Sequence, residues 1–151
     1  MGIINGAAAI TRFNVISLPE SPEFELIPFR PIMPGSSIRE REGFVPFEPG
    51  EEYEIGAKRW GFRLRMDKVT LDATMITERV KELVKVETEN VGPPSPKIRQ
   101  QLKQQAEEEL MQHPMPRSKV IECVMEETLL YVGSTAKGHL GMVCELLKRI
   151  G

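Results

Sequence analysis

The chain has 151 residues, which is enough for one domain with a buried core and too few for two domains of about 100 to 150 residues each. Its 40% hydrophobic and 28% charged residues, with 20 Lys and Arg against 22 Asp and Glu, exclude a disordered acidic tail, a histone-like basic peptide and a collagen repeat. The longest uncharged run, Gly2 to Thr11, is too short for a membrane span and lacks the basic flank of a secretory signal, so we expect a cytoplasmic protein.

The first half of the chain predicts strands separated by an irregular segment. Residues 10–16 alternate apolar and polar side chains and suit a first strand. Seven prolines between residues 19 and 49 exclude a helix from residues 19–50. Two further strands are predicted, one beginning at Tyr53 and one from Gly61 to Lys68, in which Phe62, Leu64 and Met66 alternate with arginines.

Two helices are predicted next, each with a recognisable first residue. Asp72 is a plausible N-cap for a helix that runs to about Glu89. Ser95 followed by Pro96 is typical of a second helix start, because Ser caps the helix and Pro suits its first position. Pro114 ends this helix.

A hairpin and a last helix complete the predicted order. Residues 119–125 and 128–132 are apolar runs that read as two strands joined by a turn without glycine. Ser134 or Thr135 caps a helix with apolar residues at helical spacing. The order β, irregular, β, β, α, α, β, β, α predicts a single α+β domain over residues 1–151 with a mainly antiparallel sheet. The closing residues 148–151 predict that the chain is a fragment of a longer protein.

Catalytic, metal and cofactor sites are not predicted. His113 and His139 have no Cys, Asp or second His at the spacing of metal ligands. Cys123 lies in an apolar run and reads, like Cys144, as a small core residue. The run Glu107–Glu109 leaves open a metal-dependent nuclease, although consecutive carboxylates on a helix usually form a solvated face. We therefore expect a protein without enzymatic activity, cofactor or small-molecule substrate.

The informative charges are basic. Residues 58–68 contain five cations and one acid, Asp67. The cations are Lys58, Arg59, Arg63, Arg65 and Lys68. Arg63 and Arg65 lie on one strand face about 6.6 Å apart, close to the spacing of phosphates along one DNA strand. These five are the first candidates for phosphate contacts with nucleic acid, and no residue is proposed to read a base edge. The second-rank candidates are Lys97, Arg99, Lys103, Arg117 and Lys119.

Two alternatives stay open for the basic strand. Trp60 and Phe62 lie among its cations, which leaves stacking on single-stranded bases possible. The cations could instead pair with helix carboxylates such as Glu78 or Glu82, which would favour a protein-interaction or structural module that does not bind DNA. For the cluster Lys97, Arg99 and Lys103 a solvated surface is favoured, because Lys97 and Arg99 do not share a helix face.

Residues 43–151 resemble the N-terminal half of the bacterial recombination-associated RdgC family. The similar segments are Gly43 to Pro46, the strand Gly61 to Lys68, the helix end and Pro-rich segment Glu108 to Arg117, and the blocks Thr128 to Thr135 and Leu146 to Gly151. The resemblance implies an α+β homodimer that closes into a ring and binds duplex DNA through a basic inner surface, without marked sequence preference. It also implies a nucleoid-associated protein that restrains RecA-dependent recombination.

Overall fold

The structure is a computed structural model that describes residues 9–15 and 21–151. Within these residues the six strands are β1 (Thr11–Asn14), β2 (Glu40–Val45), β3 (Glu54–Gly56), β4 (Arg59–Lys68), β5 (Arg117–Glu126) and β6 (Leu129–Val132). The three helices are α1 (Ala73–Asn90), α2 (Pro96–Leu110) and α3 (Lys137–Ile150). The predicted α+β class and the predicted order of elements are confirmed. Ile16 of the predicted first strand, residues 2–8 of the uncharged run and Pro19 lie outside the described residues.

The chain forms two compact units. Unit 1 comprises the described part of residues 1–30 with residues 41–66 and 118–151, and unit 2 comprises residues 31–40 and 67–117. Unit 1 contains most of the sheet and α3, whereas unit 2 contains α1 and α2. A single domain over residues 1–151, and its origin as a fragment, stay predictions.

The core of unit 1 lies between the sheet and α3. The strands follow the order β1-β6-β5-β4-β2, and β3 pairs with β4. Alternate residues of β5 are buried beside alternate residues of β4, as the period of two requires. Helix α3 turns Val143, Leu146 and Ile150 to this core at helical spacing. One face of the sheet is therefore committed to packing.

The proline-rich segment is anchored in unit 1 by aromatic side chains. A 3-10 turn at Phe24–Leu26 places the ring of Phe24 4.7 Å from that of Phe62 and 5.3 Å from that of Phe44, measured between centroids. Part of the segment that was predicted to be irregular forms strand β2. Gly43 is needed there, because a Cβ atom would lie 2.4 Å from the backbone nitrogen of Phe29.

The hairpin between β5 and β6 turns without a glycine. Glu127 takes the left-handed conformation with φ of +48°, which a glycine would adopt more easily. The predicted caps of α3 are wrong, since the N-cap is Ala136, which has no side chain to accept a hydrogen bond. The hydroxyl of Ser134 instead accepts a hydrogen bond from the N–H of Ala136, 3.2 Å away.

Unit 2 is a pair of helices with a small core at one end. The side chain of Asp72 accepts hydrogen bonds from the first turn of α1, and Ser95 does so for α2, as predicted. Helix α1 has no buried residue among the side chains described. The separate core of this unit consists of Ile32, Val69 and Met111. The helix pair thus depends on half-buried contacts between α1 and α2.

Candidate nucleic-acid interface

The ten predicted phosphate-binding residues are divided between the two units. Unit 1 holds Lys58, Arg59, Arg63, Arg65 and Lys119. Unit 2 holds Lys68, Lys97, Arg99, Lys103 and Arg117. Each set is a candidate surface of its own unit.

Strand β4 has one buried face and one partly open face. Phe62 and Leu64 are 0% exposed in the core of unit 1, whereas Arg63 and Arg65 are half-buried. Met66, predicted to be buried with them, is also half-buried. The predicted separation of apolar and basic side chains is confirmed for the four residues from Phe62 to Arg65. Arg63 and Arg65 are called the β4 arginine face below.

Neighbours in unit 1 hold both arginines in place. The Nε–H of Arg63 donates to the carbonyl oxygen of Pro46 at 3.2 Å, which uses one of its five N–H donors. The guanidinium carbon of Arg65 lies 4.4 Å from the centre of the Phe29 ring, in a cation–π contact. Its Nη2 lies 3.4 Å from the Ser118 hydroxyl. Their orientation on the sheet is therefore fixed before any ligand binds.

The cations at the two ends of β4 are paired with carboxylates. Arg59 Nε lies 2.7 Å from Glu126 Oε2, and Lys68 Nζ lies 3.2 Å from Glu40 Oε1. The partners come from strands β5 and β2, not from the helices that the alternative named. These pairs reduce the local positive charge that the sequence indicated. Exposed ion pairs of this kind contribute about 0–1 kcal/mol to stability, so a phosphate could replace the carboxylate at low cost.

The turn before β4 carries an exposed cation of the cluster, Lys58. Lys58 has a left-handed φ of +53° and an exposed side chain. Lys119, on β5, is also exposed. Among the described residues neither side chain has a hydrogen-bond or ion-pair partner. Both are free to contact a phosphate group.

Stacking of bases on the aromatic residues of β4 is excluded by their burial. Trp60 is 7% exposed and Phe62 is 0% exposed, and both belong to the core of unit 1. A base would need an open aromatic face. The single-strand stacking alternative is therefore wrong for these two residues.

A second group of cations surrounds a groove between α1 and α2. This groove, called the basic groove below, has a volume of about 440 Å³. Its lining includes Lys81, Arg99, Lys103, Ile76, Val80 and Pro96, and no carboxylate. Within residues 9–15 and 21–151, none of the three cations forms an ion pair or a side-chain hydrogen bond.

The basic groove adds to the sequence interpretation of α2. Arg99 and Lys103 are exposed, in agreement with the solvated surface predicted for this cluster, and they line one groove with Lys81 of α1. Lys81 was missed, because charge counts along each helix do not show which residues meet. The sequence does place Lys81 four residues after Thr77, on one side of α1. Both residues line the groove with Arg99. Lys97 and Arg117 are exposed and do not line this groove.

The opposite face of the helix pair carries the reverse charge. A smaller groove of about 230 Å³ is lined by residues that include Glu78, Glu82, Glu109 and Arg79. Arg79 Nε lies 2.6 Å from Glu109 Oε2, and its Nη1 lies 2.8 Å from Glu82 Oε2. The hydrogen bond from Arg79 lowers the pKa of the Glu109 carboxyl. This groove, called the acidic groove, ties α1 to α2.

The three consecutive carboxylates of α2 do not converge on one point. Glu107 pairs with Arg39 at 3.2 Å, Glu108 accepts a hydrogen bond from Gln104, and Glu109 pairs with Arg79. Among the described residues no three His, Cys, Asp or Glu side chains are grouped so as to hold a metal ion. The nuclease hypothesis therefore has no site in this part of the chain, and the absence of enzymatic activity stays a prediction.

Cysteines and histidines offer little further chemistry. Cys123 is 0% exposed, and burial raises the pKa of its thiol, so it is held as an unreactive core group. Cys144 is partly exposed, and neither cysteine forms a disulfide. His139 Nδ1 lies 3.0 Å from the Ser134 hydroxyl at the start of α3, and His113 is exposed.

No protein-family model matches the sequence, and no curated protein matches it. The resemblance to the RdgC family therefore stays a prediction. No helix in the described part of the chain is both long and apolar enough to cross a membrane.

Proposed function

We propose that the chain binds double-stranded DNA through the phosphate backbone, with little sequence preference and without cleaving it. The observation that carries the proposal is the β4 arginine face, where two guanidinium groups are held side by side on the sheet face that the core does not use. Guanidinium groups match phosphate oxygens in geometry and charge.

Contacts to phosphate alone explain why sequence preference is expected to be weak. Sequence is read by side chains that reach base edges in a groove, whereas phosphate contacts only position the duplex. The β4 arginines project from a strand whose other face is buried, and the aromatic ring described beside them, that of Phe29, is in contact with the Arg65 guanidinium group. The principal contacts are assigned to Lys58, Arg63 and Arg65, with the paired Arg59 and Lys68 as secondary contacts.

The biological setting comes from the resemblance. A homologue of the RdgC family would coat duplex DNA in the nucleoid and restrain RecA-dependent recombination, and we propose that role for this chain. We also propose a homodimer, since β1 lies at one end of the described strand order and a second copy could cover it. Light scattering at high micromolar concentration tests this, and a monomer there would contradict the dimer.

The test of DNA binding is the salt dependence of affinity for duplex oligonucleotides. The logarithm of the association constant should fall with the logarithm of salt concentration, with a slope of about −0.9 for each phosphate contacted. Arg63→Ala with Arg65→Ala should weaken binding to every sequence and make the slope shallower by about 2. The matched control is Lys137→Ala with Lys148→Ala, which removes the same charge from exposed positions on α3.

Three results would count against the proposal. The first is a slope near zero for the parent protein, and the second is strong preference for one oligonucleotide over scrambled versions. The third is a double arginine variant that binds DNA as tightly as the parent and unfolds several degrees earlier. In the third case the arginines stabilise unit 1, and the interaction module without DNA binding replaces this proposal.

A further inference from the structure

The basic groove combines two properties that DNA binding through phosphates does not require together. Lys81 lies on α1, and Arg99 and Lys103 lie on α2, so cations occupy both sides of the groove. Between them Ile76, Val80 and Pro96 form an apolar floor. Phosphate contacts to DNA need the cations, because their affinity comes from neutralising the charges of the backbone.

We propose that the basic groove binds an acidic amphipathic segment of a partner protein. The ligand class follows from charge and apolarity together: carboxylates pair with the three cations, and aliphatic side chains cover the floor. Among the described residues no carboxylate lines the groove, so its cations have no counter-charge from this part of the chain. A segment with Glu or Asp beside Leu, Ile or Val on one face has the complementary pattern.

The geometry of the groove supports side-chain insertion. It is an open surface groove of about 440 Å³ with Ile76 and Val80 in its lining, so the side chains of a bound segment can reach these apolar residues. A duplex would contact the cations from outside and leave the floor exposed to water. An inserted aliphatic side chain would gain about 25 cal/mol for each Å² of apolar surface that it buries.

The opposite face of the helix pair explains why only this groove is chosen. The acidic groove already contains its own counter-charge, because Arg79 is hydrogen-bonded to Glu82 and Glu109. An acidic segment would be repelled there. The partner should therefore bind one face of the helix pair.

The experiment is a titration of the full chain with a fluorescent peptide of about 15 residues that repeats Leu and Glu at i, i+3 and i+4 spacing. Two peptides serve as comparisons. The first has the same residues in an order that spreads Leu over all sides of a helix, and the second contains Glu only. Salt near 0.15 M limits long-range attraction to about 8 Å. The amphipathic peptide should bind at least about tenfold more tightly than both, which corresponds to about 1.4 kcal/mol.

Two charge-reversal variants localise the binding. Arg99→Glu with Lys103→Glu should weaken the amphipathic peptide about tenfold or more, whereas Lys85→Glu with Lys97→Glu should change it less than about twofold. Both double variants replace two exposed cations on the helices with carboxylates, so the change in charge is the same. Lys85 and Lys97 do not line the groove. Helix content by circular dichroism should match the parent in both variants.

A third variant keeps the test decisive and separates it from DNA binding. Val80→Asn should weaken the amphipathic peptide and leave the Glu-only peptide unchanged, because only the floor is altered. Equal binding of all three peptides, or equal loss in both double variants, would overturn the proposal. Loss of duplex DNA binding in Arg99→Glu with Lys103→Glu, with peptide binding unchanged, would assign the groove to nucleic acid instead. Failure of the β4 arginine variants to weaken DNA binding bears on the proposed function alone.

Discussion

The β4 arginine face and the basic groove are both clusters of cations, and they differ in what lies beneath them. The arginines stand on a strand whose next residues, Phe62 and Leu64, are fully buried, and their contacts include the Pro46 carbonyl and the Phe29 ring. The groove cations stand on helices that bury almost nothing, and α1 has no buried residue among those described. The first surface is half-buried and in contact with its neighbours, and the second is exposed, with no ion pair to its cations among the described residues.

This difference shows how a charge count along the sequence can mislead. Five cations in eleven positions gave β4 the strongest signal, but Arg59 and Lys68 meet carboxylates from distant parts of the chain. The weaker signal on α2 becomes a three-cation groove once α1 is packed beside it. A charge is informative as a binding site only when its spatial neighbours are known.

The largest expected effect comes from removing the support of the arginine face. Leu64→Ala should lower the free energy of unfolding of unit 1 by about 2–5 kcal/mol, because a fully buried leucine leaves a cavity. Val80→Ala, at the half-buried floor of the basic groove, should cost clearly less. Urea denaturation of both variants and the parent checks the order. Equal losses would mean that the two surfaces rest on equally packed structure.

A smaller effect is expected where the backbone passes beneath the arginine face. Gly43→Ala should destabilise unit 1 by about 1–3 kcal/mol, because its Cβ atom would collide with the backbone of Phe29, which also supports Arg65. Gly141→Ala is the control, since no atom lies within 4 Å of its Cβ position, and it should stabilise α3 by about 0.5–1 kcal/mol. Opposite signs in thermal denaturation are the expected result. Destabilisation by both substitutions would contradict the clash.

The fold was predictable where local signals agree with packing. Asp72, Ser95 and Pro96 marked both helix starts because capping depends on a few adjacent residues. Strand β2 was missed because its pairing follows from Phe24 and Phe44 meeting across the proline-rich segment, which no local pattern shows.

The site was predictable only in part, for the same reason. The period of two correctly set Arg63 and Arg65 apart from Phe62 and Leu64. The same period places Trp60 on the buried face with Phe62 and Leu64. It could not show that Arg59 has an ionic partner, since that contact depends on β5. Long-range contacts, and not residue type, decided which cations are free.

The smallest expected effect is a loss of stability at low pH. It should arise from the ion pair in the acidic groove and not from the basic groove. The pKa of Glu109 is lowered by its hydrogen bonds, first from Arg79 and then from Gln105. A carboxyl whose pKa is lower in the folded state stabilises that state above its unfolded pKa and loses this contribution as pH falls through the folded value. The contact between α1 and α2 should therefore weaken below about pH 4.5, the ordinary value for glutamate.

Carboxyl resonances followed by NMR over this range should show Glu109 titrating below the ordinary range in the parent protein. The Arg79→Gln substitution should raise the pKa of Glu109, because the hydrogen bond from Arg79 is the largest cause of its lowering. Arg99→Gln removes the same charge from the basic groove, where no carboxylate is paired, and should leave the Glu109 titration unchanged. An unchanged Glu109 pKa in Arg79→Gln would mean that the ion pair does not persist in solution. The two faces of the helix pair would then differ in charge alone and not in how each is held together.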